Sequence, residues 1–204
     1  MGENSLKSSV RPSFKSQLNE SIDQVKEKLG RNVKIHNWNI LFVSRFLESL
    51  GIQLGQERTQ KLVTAYDDVF AENTKLFPDA RYVLNFLKKK GVRMGVVIDG
   101  PSRRERKIIK KLGLIKYFSA VAISEEIGQN KFSNLPLKTA LKAIGRRPQE
   151  TMVVGDRIDK DIIHANKLGC ISVKLERHGG RYANRRHKKA DEKPKYVIAN
   201  LKEL

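Results

Sequence analysis

The chain has 204 residues, of which 39% are hydrophobic, so it is long enough for one domain with a buried core. Lysine and arginine number 41 against 22 acidic residues, which gives a formal net charge of +19. No apolar run reaches membrane-spanning length, the first ten residues carry no signal-peptide pattern, and a single cysteine, Cys170, excludes an intramolecular disulfide. These features predict a cytoplasmic protein with no membrane partner. The charge favours a polyanionic partner, although a solvated surface of lysines is an alternative.

The first seventy-odd residues are predicted to be entirely helical. Apolar residues recur at steps of three or four over 14–29, 35–50 and 56–71, which is the period of amphipathic helices. No strand pattern interrupts them. Residues 1–76 are therefore predicted to form a helical, cap-like subdomain.

Residues 77–204 are predicted to form an α/β core. Short apolar runs predict strands at 94–98, 120–124, 151–154 and 171–175, and helical periods separate them at 80–90, 103–112, 134–144 and 160–168. Strands that alternate with helices through short loops are typical of a parallel sheet covered by helices. A last apolar stretch at 196–201 is predicted to return as an edge strand and a short helix.

One motif carries most of the chemical information. An apolar run ends in Gly155 and Asp156, and Asp161 follows five residues later. An acid at the carboxyl end of a buried strand, with a second acid on the loop that opens a helix, is how an α/β sheet holds a hard cation such as Mg²⁺. The favoured alternative is structural: the two carboxylates cap the following helix and pair with cations such as Lys131 or Arg157.

Three segments in order resemble the haloacid dehalogenase (HAD) superfamily of phosphohydrolases, and most of all its archaeal phosphatase-like branch. Gly95-Val-Val-Ile-Asp-Gly100 lies where that superfamily has a strand ending in a Ser or Thr that holds the substrate phosphate. Residues 124–131 resemble the segment with the phosphate-neutralising lysine, here Lys131, and residues 153–169 resemble the metal-holding acidic motif and its helix. The resemblance implies a HAD-like Rossmannoid parallel sheet flanked by helices, with an N-terminal helical cap.

The same resemblance implies catalytic groups that this sequence lacks. In the family, an Asp at the tip of the first core strand attacks phosphorus, and a second Asp two residues on acts as general acid and base. The best counterpart is the opening Met1-Gly-Glu-Asn-Ser-Leu6, which puts Met1 at the nucleophile position and Glu3 at the acid/base position. A thioether cannot form the acyl phosphate, and the first core strand is then missing. Ile98 likewise stands where a phosphate-binding hydroxyl belongs.

These departures predict a catalytically inactive, degenerate HAD-like protein. Its vestigial family positions are Ile98, Lys131, Asp156 and Asp161. No cofactor is expected, with Mg²⁺ at Asp156 and Asp161 as the weaker alternative.

Basic side chains cluster in two segments. The helix at 103–112 is predicted to turn its apolar stripe to the sheet and its cations outward. The basic insertion at about 177–195 cannot pack a core, because its charges repel one another. Arginines there would bridge phosphates, and Tyr182 or His187 would stack on an unpaired base. The predicted RNA-binding residues are Arg103, Arg104, Arg106, Lys107, Lys110, Lys111, Arg177, Arg181, Tyr182, Arg185, Arg186, His187, Lys188 and Lys189.

The predicted function is therefore scaffolding of structured RNA by an inactive enzyme. Ribosomal RNA within a ribosome, with neighbouring ribosomal proteins, is the expected partner. A rival prediction is an active Mg²⁺-dependent phosphatase acting on a phosphate ester, a nucleotide or a nucleic-acid end, which requires a start upstream that restores the first strand. A third is a protein-interaction module that docks through the helical cap.

Overall fold

The computed structural model describes residues 38–180, 182–183 and 189–204. The helix expected over 14–29 lies outside the described residues. Three helices come first in the described part of the chain: α1 (Trp38–Ser49), α2 (Gln56–Asn73) and α3 (Pro78–Lys89).

Strands and helices then alternate, which confirms the predicted α/β fold. The elements are β1 (Gly95–Ile98), α4 (Ser102–Lys111), β2 (Ala120–Ile123), α5 (Ser124–Ile127), α6 (Leu135–Ile144), β3 (Met152–Gly155), a π-helix (Ile158–Ile162), α7 (Ile163–Leu168), β4 (Ile171–Leu175) and β5 (Tyr196–Ile198). Short 3₁₀ turns occupy Ile115–Tyr117, Pro148–Glu150, Ala190–Glu192 and Leu201–Glu203.

The described strands form two parallel sheets. One sheet pairs β1 with β2, and the other has the order β3-β4-β5. No strand among the described residues is hydrogen-bonded to both β1 and β3. The carboxyl ends of β1 and β3 are nevertheless close to each other. Lys160, which follows β3, forms an ion pair with Asp99, which follows β1.

The hydrophobic core joins the two sheets. Leu141 and Ile144 of α6 pack in one cluster with Ala120 of β2, and Val153 of β3 packs against the same cluster. Parallel strands covered in this way are short and apolar, which is why their positions could be predicted. In the described part of the chain, no helix is long and apolar enough to cross a membrane.

Candidate phosphate and metal site

The acidic motif folds as a strand end followed by one wide helical turn. The π-helix begins at Ile158, where the sequence predicted an ordinary helix from residue 160. The backbone N–H groups of Asp161 and Ile162 both donate to the carbonyl of Arg157, at 2.8 and 3.2 Å. This turn brings the Asp161 side chain back over Gly155, where an added Cβ would lie 2.5 Å from the Cβ of Asp161. Glycine at this position makes room for the carboxylate.

Lys131 reaches Asp161 from a separate segment of the chain. One carboxylate oxygen of Asp161 pairs with Nζ of Lys131, and the other accepts the N–H of Arg157 at 3.1 Å. The two side chains are only 19% and 8% exposed, so solvent screens this pair weakly. Nζ of Lys131 also donates to the carbonyl of Val97 at 3.4 Å. The end of β1, the loop before α6 and the π-helix therefore converge on one ammonium group.

A second ion pair lies at the same edge of the sheets. Lys160 pairs with Asp99, whose other oxygen accepts the N–H of Lys131 at 3.4 Å. The ammonium of Lys160 also lies 4.5 Å from the centre of the Phe132 ring. Sequence reasoning missed Lys160, although a cation between the acids Asp159 and Asp161 was a signal that could have found it.

Arg157 lies near two aromatic rings beside these pairs. Its guanidinium lies 4.8 Å from the ring centre of Tyr182 and 5.8 Å from that of Phe132. It donates to both oxygens of Asp159, at 3.0 and 2.5 Å. Burial would lower the pKa of the guanidinium, but the bonds to Asp159 outweigh it and raise the pKa. Arg157 therefore remains a fixed positive charge.

The donor set at this edge fits magnesium with two protein ligands. Asp161 is buried and Asp156 is exposed at the end of β3, and both offer carboxylate oxygens. Mg²⁺ prefers oxygen ligands and is often held by one or two carboxylates with water completing the shell. Within the described ranges, no group of three or more His, Cys, Asp or Glu could hold a metal ion. Ile98, half-buried at the end of β1, adds no donor.

Five of the six α4 cations that were predicted to face RNA bind other parts of the protein instead. Asp68 of α2 accepts from Arg103 at 2.9 Å and from Lys107 at 3.0 Å, and Glu72 accepts from Lys107 at 2.9 Å. The ammonium of Lys111 donates to three backbone carbonyls near the end of α2, those of Ala71, Glu72 and Thr74. Arg106 donates to both oxygens of Glu126, at 2.6 and 2.7 Å. The acids that bind these cations lie far away in the sequence, so the pattern of the helix alone could not reveal them.

Arg104 is the most buried of the α4 cations that form ion pairs. It contacts Asp67 of α2 at 3.2 Å and Glu105 at 2.9 Å, and its guanidinium lies 4.7 Å from the centre of the Phe70 ring. Burial raises the pKa of both carboxyls, although Arg104 lowers it in each case. Lys110 is exposed.

The second basic segment is also engaged within the protein where it is described. Arg177 donates to both oxygens of Asp79, at 2.9 and 2.8 Å, and lies 4.3 Å from the centre of the Phe77 ring. Tyr182 stacks on Arg157, and Lys189 is exposed. Several predicted positions lie outside the described residues: Met1, Glu3, Arg181, Arg185, Arg186, His187 and Lys188.

The described residues thus form a parallel α/β fold with Lys131, Asp156 and Asp161 at one edge of the sheets. The family model of haloacid dehalogenase-like hydrolases matches residues 8–174. The chain belongs to this family, as the sequence motifs indicated.

Relatives and solved structures agree with that assignment. The chain is 29% identical over 98% of its length to a glyceraldehyde 3-phosphate phosphatase of Methanopyrus kandleri, of which it covers 85%. It is 30% identical over 99% of its length to the protein of the same name from Pyrococcus furiosus, of which it covers 80%. Among solved structures, the magnesium-bound putative HAD-hydrolase YfnB from Bacillus subtilis aligns with a TM-score of 0.73, 18% identity and coverage of 95% and 82% of the two chains. A HAD phosphatase from Thermococcus onnurineus aligns with a TM-score of 0.61, 22% identity and coverage of 91% and 78%.

These comparisons overturn the functional prediction made from charge and missing motifs. The prediction of an inactive RNA scaffold was wrong, as were those of ribosomal RNA and ribosomal proteins as partners, because the family is one of hydrolases and the relatives are named phosphatases. None of the comparisons shows degeneracy. The error has a physical cause: net charge was attributed to an external polyanion, whereas ion pairs within the protein bind many of these cations.

Proposed function

We propose that this protein is a Mg²⁺-dependent phosphohydrolase that cleaves small phosphate monoesters. The observation that carries the proposal is the convergence of Lys131 and Asp161 beside the Val97 carbonyl, at the carboxyl edge where parallel α/β sheets bind ligands. Relatives named as phosphatases of glyceraldehyde 3-phosphate and phosphoglycolate support a small, anionic substrate.

Lys131 is the residue that binds the phosphate. Its ammonium has three donors, so it can contact phosphate oxygens without leaving the carbonyl of Val97. Phosphoryl transfer is catalysed mainly by positioning and by neutralisation of charge on the transferred group. A largely buried ammonium suits this role, because its field is poorly screened.

Asp156 and Asp161 are the residues that would hold the metal. A bound Mg²⁺ supplies Lewis-acid polarisation of a phosphoryl oxygen. Gly155 and the N–H of Arg157 fix the Asp161 carboxylate for that purpose. The counterpart of the family's attacking carboxylate falls at Met1, outside the described residues, and a thioether cannot accept the phosphoryl group. The phosphoryl group is therefore transferred to water: a water oxygen bonds to phosphorus, the bond from phosphorus to the ester oxygen breaks, and the proton released by the water goes to the departing alcohol. We further propose that residues 1–76 act as the cap that covers the substrate.

The test is hydrolysis of a panel of phosphate monoesters in Mg²⁺, including glyceraldehyde 3-phosphate and phosphoglycolate, with release of inorganic phosphate as the signal. Asp161→Asn is expected to lower turnover by at least about 100-fold, because it removes a carboxylate that would hold Mg²⁺ and leaves Lys131 without its anion. It should also weaken Mg²⁺ binding in calorimetry. Asp191→Asn is the matched control, since Asp191 pairs with Lys167 at 3.6 Å on a partly exposed surface. Absence of turnover by the unmodified chain, or equal turnover by Asp161→Asn, would contradict the proposal.

A further inference from the structure

Lys160 is held rigidly at the candidate phosphate site. Its side chain is 14% exposed, its ammonium pairs with Asp99 at the end of β1, and it lies 4.5 Å from the centre of the Phe132 ring. A lysine held by both a carboxylate and an aromatic ring loses little further rotamer freedom when it binds an anion. Its position is therefore set before any ligand arrives.

The ammonium groups of Lys160 and Lys131 both contact the segment 97–99 at the end of β1. Lys131 contacts the carbonyl of Val97 and Lys160 contacts the carboxylate of Asp99. The residue between them is Ile98, whose side chain offers no donor to a phosphate oxygen. The two lysines therefore flank the position where β1 lacks a hydroxyl.

Other polar groups near this strand end are already engaged. The hydroxyl of Ser102 donates to Glu126, and the N–H of Ser102 donates to Glu125 at 2.7 Å. The hydroxyl of Ser124 accepts the N–H of Gly100 at 3.0 Å. An ammonium has three donors, so Lys160 can keep its bond to Asp99 and still donate to an anion.

Formal charge points to the same residue. The charges of Lys131 and one divalent cation equal those of the carboxylates Asp99, Asp156 and Asp161, so these groups together are neutral. With Lys160, which pairs with Asp99, the same set of groups carries a net positive charge, and this favours binding of a phosphate dianion. The neighbouring pair of Arg157 and Asp159 leaves that sum unchanged.

We propose that Lys160 is a second phosphate-binding cation, which takes the place of the hydroxyl that Ile98 cannot supply. This inference rests on the proposed function, because it assumes that the phosphate of the substrate binds beside Lys131. Lys160 contacts the same phosphate from the β1 side.

The inference is tested by binding of inorganic phosphate in the presence of Mg²⁺, measured by calorimetry on the full chain. Lys160→Gln is expected to weaken phosphate binding about 10- to 100-fold, because it removes a charged hydrogen-bond donor. Lys160→Arg should retain most of the affinity. Lys167→Gln is the control, since Lys167 is a largely exposed lysine of the adjoining helix α7. Thermal unfolding of each variant reports whether it is folded.

A rescue variant separates phosphate binding from a structural role. Ile98→Ser in the Lys160→Gln background is expected to recover at least about 5-fold of the lost affinity, because it adds a donor at the same strand end. Loss of the Asp99 ion pair alone would not be repaired by a hydroxyl. Equal phosphate affinity of Lys160→Gln and the unmodified chain, or no recovery by Ile98→Ser, would overturn the inference. Failure of the unmodified chain to hydrolyse any ester, with phosphate binding still dependent on Lys160, would instead overturn the proposed function alone.

Discussion

At the scale of single residues, Gly155 determines where the Asp161 side chain of the acidic motif can lie. Its missing side chain allows the π-helix to place the Asp161 carboxylate directly over the end of β3. The same carboxylate then receives both Lys131 and the N–H of Arg157. One hydrogen atom in place of a methyl group thus determines where the buried acid of the candidate site can lie.

Gly155→Ala is expected to displace Asp161 and to weaken Mg²⁺ binding about 10- to 100-fold. It should also lower the free energy of unfolding by about 1–3 kcal/mol, because the added methyl group overlaps a buried side chain. Calorimetric titration with Mg²⁺ and urea unfolding measure the two effects. Gly55→Ala is the control, because a Cβ there meets nothing within 4 Å and the backbone φ is −63°. Unchanged Mg²⁺ affinity in Gly155→Ala would show that the position of Asp161 does not matter.

Candidate site residues could be identified from the sequence where they lie close together in one short motif. Asp156 and Asp161 were identified as candidates because they follow an apolar run at a fixed spacing, and Lys131 through family resemblance, although the sequence favoured ion pairing of the two acids over metal binding. The pairing of Lys160 with Asp99 was not identified, because it joins residues 61 apart in the chain. The wide turn at Ile158 was also missed, since apolar spacing does not distinguish a π-turn from the start of an α-helix.

At the scale of elements, the contact between α2 and α4 is a ladder of charges. Arg103 and Lys107 of α4 bind Asp68, and Lys107 also binds Glu72. Lys111 extends the ladder to the carbonyls at the carboxyl end of α2, where a cation complements the helix dipole. Since several of these pairs are half-exposed, salt should weaken the contact more than it weakens the apolar core.

Lys107→Glu is expected to loosen α2 without unfolding the sheets, because it places a negative charge against Asp68 and Glu72. Amide hydrogen exchange in α2 should speed up by about 5-fold, which corresponds to roughly 1 kcal/mol of local stability. Exchange in β3 and β4 should stay the same. Added salt should give a smaller change in the same direction in the unmodified chain. Lys138→Glu, at an exposed position of the separate helix α6, is the control, and an equal effect of both variants would rule out the ladder as the cause.

The fold could be predicted from the sequence, but the partners of the charged residues, and with them the function, could not. The strand at Ile171–Leu175 and the helices of the core follow from apolar periodicity and glycine stops, which report burial directly. The partners of α4 depend on the tertiary arrangement of charges, which periodicity does not contain. A helix with outward cations therefore suggested RNA, although the neighbouring helix α2 provides the acids.

At the scale of the whole molecule, Asp79 ties distant parts of the chain together. Its carboxylate accepts from Arg177 at 2.8 Å and from the N–H of Leu201 at 2.8 Å. Burial would raise the pKa of this carboxyl, but the bonds from Leu201 and Arg177 outweigh it and lower the pKa. The start of α3, the loop after β4 and the last 3₁₀ turn therefore share one charged group.

Asp79 is expected to contribute to stability at neutral pH and to lose that contribution in acid. Because its pKa is lowered in the folded state, the contribution is present above the ordinary pKa and disappears as pH falls through the folded value. Asp79→Asn should lower the free energy of unfolding by about 3 kcal/mol at neutral pH, since it leaves Arg177 without its anion. The difference from the unmodified chain should shrink between about pH 5 and pH 2. Urea unfolding across this range measures it, with Asp191→Asn as the control; a constant difference would contradict the assignment.

The Asp79 cluster also sets an order of events during synthesis of the chain. Leu201 follows Asp79 by 122 residues. At a synthesis rate of roughly 5–20 residues per second, the backbone donor of Leu201 is therefore made about 6–24 seconds after the Asp79 carboxylate. Until then, the start of α3 cannot be buried without leaving an ionised group incompletely bonded. The segment at Phe77–Asp79 is therefore expected to stay hydrated in the nascent chain and to be fixed in place only when the last strand has emerged.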